Sequence, residues 1–209
     1  MHIKKYGFHI TTTMLVPQLC TMMISTKIKE ATKQAHQELE KTVVLQLKNI
    51  RSETDYAQVL KNFYAYFSAV ERAVAPYINS HTLPDINERR NSSYIKTDIQ
   101  ELGGDIADLP AATAPTVHNL PEAFAVLYVL EGSIMGGPYI VQMLQKYGLN
   151  KGFHFFSGYG ADSGKMWQAF TAILDTVPQT EADEEAMTRK ANETFQRFGD
   201  VFAAQPTLS

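Results

Sequence analysis

Apolar residues recur at spacings of three and four along most of the chain, and no hairpin signal interrupts them. From Thr26, the positions Ile28, Ala31, Ala35, Leu39 and Val43 trace a first amphipathic helix. After a turn at Arg51–Thr54, Tyr56, Val59, Leu60, Phe63, Phe67, Val70 and Val74 trace a second, ending near Pro76. A loop holding Pro84 precedes a short helix over Ser93–Leu102, stopped by Gly103 and Gly104. Residues 105–120 carry two prolines and form a connecting loop. A long helix then runs from Pro121 to Gly148, about 40 Å at 1.5 Å per residue. The aromatic stretch GFHFFSGYGADSG leads into a helix over Lys165–Thr176, and Thr180 with Asp183 forms a capping box that opens the last helix. The pattern predicts one all-α domain over residues 26–209, with residues 1–25 an N-terminal extension outside the fold.

Composition narrows the chemistry. A chain of 209 residues buries one good core. The net charge is −3 and no basic block is present, so a nucleic-acid partner is not expected. The lone Cys20 excludes an intramolecular disulfide framework and any CxxC motif, which favours a reducing, cytoplasmic setting. No apolar run comes near the roughly 20 residues that span a bilayer, so no membrane partner is expected either. Lys4 and Lys5 precede a mildly apolar stretch, but His9 and Thr11–Thr13 interrupt it, and Met22 or Met23 offers an alternative start.

A GxSxG elbow and a phosphate-binding GxxxxGK[ST] loop are both missing. None of the six histidines pairs as HxxxH, and none follows a Glu by three residues as a di-iron bundle requires. A cofactor carrying the chemistry is the remaining route. Against that background YVLEGSIMGGPYI stands out, because Gly132, Gly136, Gly137 and Pro138 crowd a helix that each of them weakens. Gly132 and Gly136 share one face, where a missing Cβ admits either a closely packed helix or a flat ligand. Pro138 cannot donate to the Ile134 carbonyl, so a kink is expected near 134–138. His36 lies on a stripe with Thr32, Leu39 and Val43, and is either a hydrogen-bonded core histidine or a ligand. Neutral imidazole is the usual proximal ligand of heme iron, and a macrocycle between a His-bearing and a glycine-bared helix accounts for both features.

YVLEGSIMGG resembles the distal-helix signature of bacterial heme oxygenases, and ATKQAHQELE resembles their proximal-helix segment. TDIQELG, FFSGYGADSGKMWQAF and ANETFQRF are similar to further segments of that family, in the same order, so the resemblance spans roughly residues 26–203. It implies an all-α, single-domain heme oxygenase-like helical bundle with heme between a proximal and a kinked distal helix. It implies oxidative opening of heme to biliverdin with release of carbon monoxide and ferrous iron. Heme is then both substrate and cofactor. The implied partners are molecular oxygen and an electron donor such as ferredoxin or a reductase, with a bilin-binding phytochrome downstream.

By the same resemblance His36 is the proximal ligand of the iron, and Gly132, Gly136 and Gly137 lie over the distal face. Gly132, Ser133 and Gly136 are the expected catalytic segment. Lys29, seven residues before His36, matches a basic position that meets the heme propionates, with Lys33 and Lys165 as further candidates. Two positions depart from relatives: Ser133 stands where some have Asp, and Gln168 where many have Arg after the Trp. Those departures motivate an alternative, a non-catalytic heme carrier or sensor with the same fold. A related bundle of the thiamin-degrading type is a third reading, with little support because Cys20 falls outside the core region. Glu131 is expected to serve packing or the surface, and Phe153, Phe155, Phe156 and Tyr159 to serve the core.

Overall fold

Capping side chains decide where the helices begin. In the computed structural model, which describes residues 22–203, Ser52, Asn91 and Asn119 each accept a hydrogen bond from an N–H of the turn they open, at 2.9–3.1 Å. Thr180 and Asp183 bond each other's backbone N–H at 3.0 and 3.1 Å, forming the expected capping box. The described residues form α1 (Ile24–Ala31), α2 (Lys33–Lys48), α3 (Glu53–Val74), α4 (Ser92–Glu101), α5 (Leu120–Gly132), α6 (Gly137–Lys146), α7 (His154–Ser157), α8 (Ser163–Leu174) and α9 (Glu181–Ala203), with no strand among them. The expectations for residues 1–21, including Lys4, Lys5, His9 and Cys20, lie outside the described residues.

Two boundaries differ from the sequence pattern. The first helix divides at Thr32, whose buried hydroxyl donates to the Ile28 carbonyl at 2.7 Å. Packing also begins before Thr26: Ile24 is only 2% exposed, and the N–H and hydroxyl of Ser25 donate to Asp175 at 2.8 and 3.0 Å. Residues 24 and 25 therefore belong to the fold rather than to an extension.

The long helix is interrupted where its composition demands it. After α5 the chain tightens into a 3₁₀ turn over Ser133–Gly136, and the Gly137 N–H bonds the Ile134 carbonyl in place of the N–H that Pro138 lacks. The helix resumes as α6 and stops at Gly148, whose φ of +88° only glycine adopts readily, with the Leu149 N–H closing back on Leu144 at 3.2 Å. The stretch Leu120–Lys146 is long and apolar enough to cross a membrane by length and composition, contrary to the expectation that no run approached that length. Its apolarity has a local cause, since every residue from Ala123 to Glu131 is buried.

α9 is the element that the others share. It packs along α5 and α2 and touches α1 and α3, while α4 packs on α3. Between them lies an aromatic cluster in which Tyr66 stacks on Phe198 at 4.6 Å and Phe63 meets Phe155, Phe156, Phe198 and Phe202 edge-on. Phe155 and Phe156 thus serve the core, as expected. α7 is short and is held from outside: both Asp98 oxygens accept its first N–H groups, from His154 and Phe155 at 2.8 and 2.9 Å.

The glycines of the interrupted helix do different things. Gly136 has no atom within 4 Å of where a Cβ would sit, whereas a Cβ on Gly137 would lie 1.9 Å from the Phe156 carbonyl oxygen. Close packing therefore accounts for Gly137. Gly137→Ala is expected to destabilise the apoprotein by at least the upper part of the usual overpacking range of about 1–3 kcal/mol. Gly136→Ala is expected to leave stability unchanged or to raise it by about 0.5–1 kcal/mol. Thermal melting of the two apoprotein variants checks the contrast.

Candidate functional site

Glu131 follows eight consecutive buried apolar residues and is itself buried. A carboxylate in that position needs a cation. Arg89 supplies it, donating from Nη1 to Glu131 at 2.5 Å while its other groups hold Asp85 at 2.7 and 2.8 Å. Burial pushes the Glu131 carboxyl up, against the pull of Arg89 and Arg90. Burial alone would push Arg89 down, but Asp85 and Glu131 hold it above the ordinary guanidinium range.

Arg90 turns the other way, into the break in the helix. It donates to the Leu130 carbonyl at 3.0 Å, to the Ser133 hydroxyl at 2.6 Å and to the Phe155 carbonyl at 2.9 Å, and lies 4.0 Å over the Phe155 ring. Burial pushes it down to about 10, with Glu131, Tyr159 and Glu71 opposing, so it stays charged. The Tyr159 hydroxyl accepts the Arg90 N–H at 2.9 Å and donates to Glu131 at 3.3 Å. Glu71 accepts the Ser92 N–H and hydroxyl at 2.6 and 2.5 Å, and burial pushes it up. A cavity of about 200 Å³ opens beside this cluster, lined by Glu71, Arg89, Arg90, Leu127, Leu130 and Glu131 among others. Leu130 lies two residues before Gly132, so this cavity is on the far side of α5 from the glycine face.

On that near face Gly132 is half-buried, with only the Trp167 ring close to its missing Cβ, at 3.5 Å. Gly136 is exposed, as are Met135, Pro138 and Tyr139. The Ser133 hydroxyl, expected among the catalytic groups, is committed inward to Arg90 and to the Leu130 carbonyl at 2.6 Å. It braces the turn.

On α2 the stripe through Thr32, Leu39 and Val43 is buried, but the His36 side chain is 59% exposed. That removes the core-histidine reading. Its ring stands edge-on to Phe195 of α9 at 5.6 Å, and Nδ1 faces the Glu40 carboxylate at 3.8 Å. Lys29, Lys33 and Lys165 are exposed. Among the described residues they make no ion pair and no side-chain hydrogen bond. No direct bond joins His36 or Lys29 to the glycine segment. The two are linked instead through α9, which packs on both α2 and α5, and through Ser25 of α1 on Asp175 at the end of α8.

The heme oxygenase family model matches residues 22–204. This chain belongs to the heme oxygenase family. It is 24% identical to heme oxygenase PigA of Pseudomonas aeruginosa over 179 residues, covering 85% of this chain and 90% of that one. It is 28% identical to a heme oxygenase of Xanthomonas campestris over 152 residues, covering 72% of this chain and 90% of that one. The solved NO- and CO-bound heme oxygenase of Neisseria meningitidis superimposes with a TM-score of 0.75 at 21% identity, covering 87% of this chain and 90% of that one. Membership sets aside the thiamin-degrading bundle, and nothing in the site favours a non-catalytic carrier.

Within this heme oxygenase, Arg89, Arg90, Glu71 and Tyr159 escaped the sequence reading as parts of the site. Glu131 was the available signal, since one carboxylate ending an otherwise apolar helix requires a buried cation elsewhere. Asp98, Glu101 and His154 also converge, with ligand atoms within 4.8 Å of one another. The Asp98 and Glu101 oxygens already accept the N–H groups of Gly152, His154 and Phe155, which makes the two carboxylates a clamp on α7 and the loop before it.

Arg89→Met is expected to cost about 3–5 kcal/mol, because it strands Glu131 without its partner. With its folded-state pKa raised further, Glu131 then favours folding when protonated, and that favour is lost as pH rises. The deficit in denaturant-measured stability should therefore be smaller near about pH 5 than near about pH 8.

Proposed function

We propose that this heme oxygenase seats heme between the exposed His36 edge of α2 and the bare face at Gly132 and Gly136. His36 would then ligate the iron, and Lys29 and Lys165 would meet the propionates. The observation that carries this reading is the imidazole left in solvent on a helix whose stripe neighbours are buried. The space beside Gly136, where nothing lies within 4 Å of a Cβ position, fits a flat ligand. The reaction is the family's, the opening of heme to biliverdin with loss of carbon monoxide and ferrous iron, and bound heme supplies the redox chemistry.

The chain's own residues prepare the pocket. Glu40, one turn beyond His36, attracts Nδ1 and leaves Nε2 free to ligate. Lys29 and Lys165 are exposed cations with no ion pair among the described residues, suited to carboxylates at a pocket mouth. Arg90 and Ser133 satisfy the Leu130 carbonyl where the helix breaks, so the glycine backbone keeps its shape without a covering side chain. Gly137 belongs to the distal segment, but its contact with Phe156 positions the backbone rather than opening it. Molecular oxygen and an electron donor such as ferredoxin or a reductase complete this reading. A bilin-binding phytochrome is its downstream acceptor, and the lone Cys20 supports the cytoplasm as its setting.

Hemin titration should produce a Soret band, which ascorbate or reduced ferredoxin under oxygen converts to biliverdin absorption. A Soret complex that survives both reductants would sink the reading. His36→Ala should still take up hemin, with turnover lowered by more than about tenfold, given that even outer partners of metal ligands are worth 10–100-fold. Added imidazole should partly restore the Soret position and the yield. An alanine variant with an unchanged spectrum and full biliverdin yield would remove His36 from the iron.

A further inference from the structure

The bare face is open at one end and closed at the other. At Gly136 nothing approaches the Cβ position, but at Gly132 the six-membered edge of Trp167 lies 3.5 and 3.7 Å away. The indole is half-buried and set in a row of rings, 5.9 Å from Phe170 in a stacked pair and 5.3 Å from Tyr128 at a tilt. Its backbone neighbour is fastened as well: the Met166 carbonyl accepts from Arg89 at 3.3 Å, and the Arg89 guanidinium lies 5.4 Å over Phe170. The Arg89–Glu131 pair thus fixes α8 against the end of α5.

We propose that Trp167 is an end wall of the heme pocket, a specificity-determining residue that fixes where the macrocycle sits over the glycine face and so which bridge carbon is opened. This rests on the seat proposed for heme at Gly132 and Gly136. A rigid planar edge resists sliding and rotation of a flat substrate along a strip that carries no side chains of its own, because every displacement toward Gly132 meets the indole. Exposed Gln168, the next residue, takes no part in this contact. Specificity at this position is therefore steric and requires no cation after the Trp.

Trp167 is the only tryptophan of the chain, so its resonances identify themselves. The test titrates the full chain with gallium(III) protoporphyrin IX, which is redox-inert, and follows the indole and Gly136 amide signals by NMR. Both should shift in the porphyrin ring current. A Gly136 amide that moves while the indole stays fixed overturns the wall and keeps the seat. Saturation with neither signal moving overturns both. In parallel, the isomers of biliverdin released from hemin and ascorbate are separated for Trp167→Phe and Trp167→Ala. The distribution should broaden in Ala and less in Phe, which keeps the stack on Phe170 should Ala fail to fold. A role in packing alone would lower the melting temperature and leave the isomer ratio as in the parent; that result in either folded variant overturns the proposal.

Discussion

The pairing of Arg89 with Glu131, and of Arg90 with the carbonyls beside it, is the constraint on which the glycine face depends. A helix that tightens into a 3₁₀ turn inside a protein frees carbonyl groups that water would otherwise satisfy. Here the Leu130 carbonyl receives both Arg90 and Ser133. The same two arginines reach α5, α7 and α8 from one loop, through Glu131, the Phe155 carbonyl and the Met166 carbonyl. The broken helix is thereby fixed by charge-assisted bonds, which leaves its outer face free of any structural duty.

That division explains a glycine-rich segment that otherwise defies helix propensity. Gly137 is turned inward, where the Phe156 carbonyl leaves no room for a methyl group. Gly136 is turned outward, where no neighbour restricts it. Pro138 removes a donor and the 3₁₀ turn absorbs the loss. The clamp formed by Asp98 on α7 belongs to the same mechanism, because α7 carries the carbonyl against which Gly137 is seated.

The helix that carries His36 depends on α9. His36 rests on Phe195, and α1 is tied to α8 through Ser25 and Asp175. α9, which carries none of the expected site residues, supports both α1 with Lys29 and α2 with His36. In the seat proposed for heme both faces are lightly furnished, and the strong interactions lie behind the glycine face.

The all-α class and the capping box at Thr180 were legible in the chain, as were helix starts within a few residues of the caps Ser52, Asn91 and Asn119, because they depend on neighbours within one turn. The unusual cost of Gly132, Gly136, Gly137 and Pro138 in one helix was legible for the same reason, and with His36 it pointed to heme. Local pattern could not tell the inward glycine from the outward ones, because that depends on the Phe156 carbonyl, nineteen residues beyond Gly137. Nor could it give the partner of Glu131, which lies 42 residues away on Arg89. Whether His36 faced core or solvent was likewise decided by how α9 sits on α2, since a stripe position fixes an angle around a helix and not what covers it. Burial, pairing and the open side of a helix are properties of contacts between distant segments, and only the tertiary structure contains them.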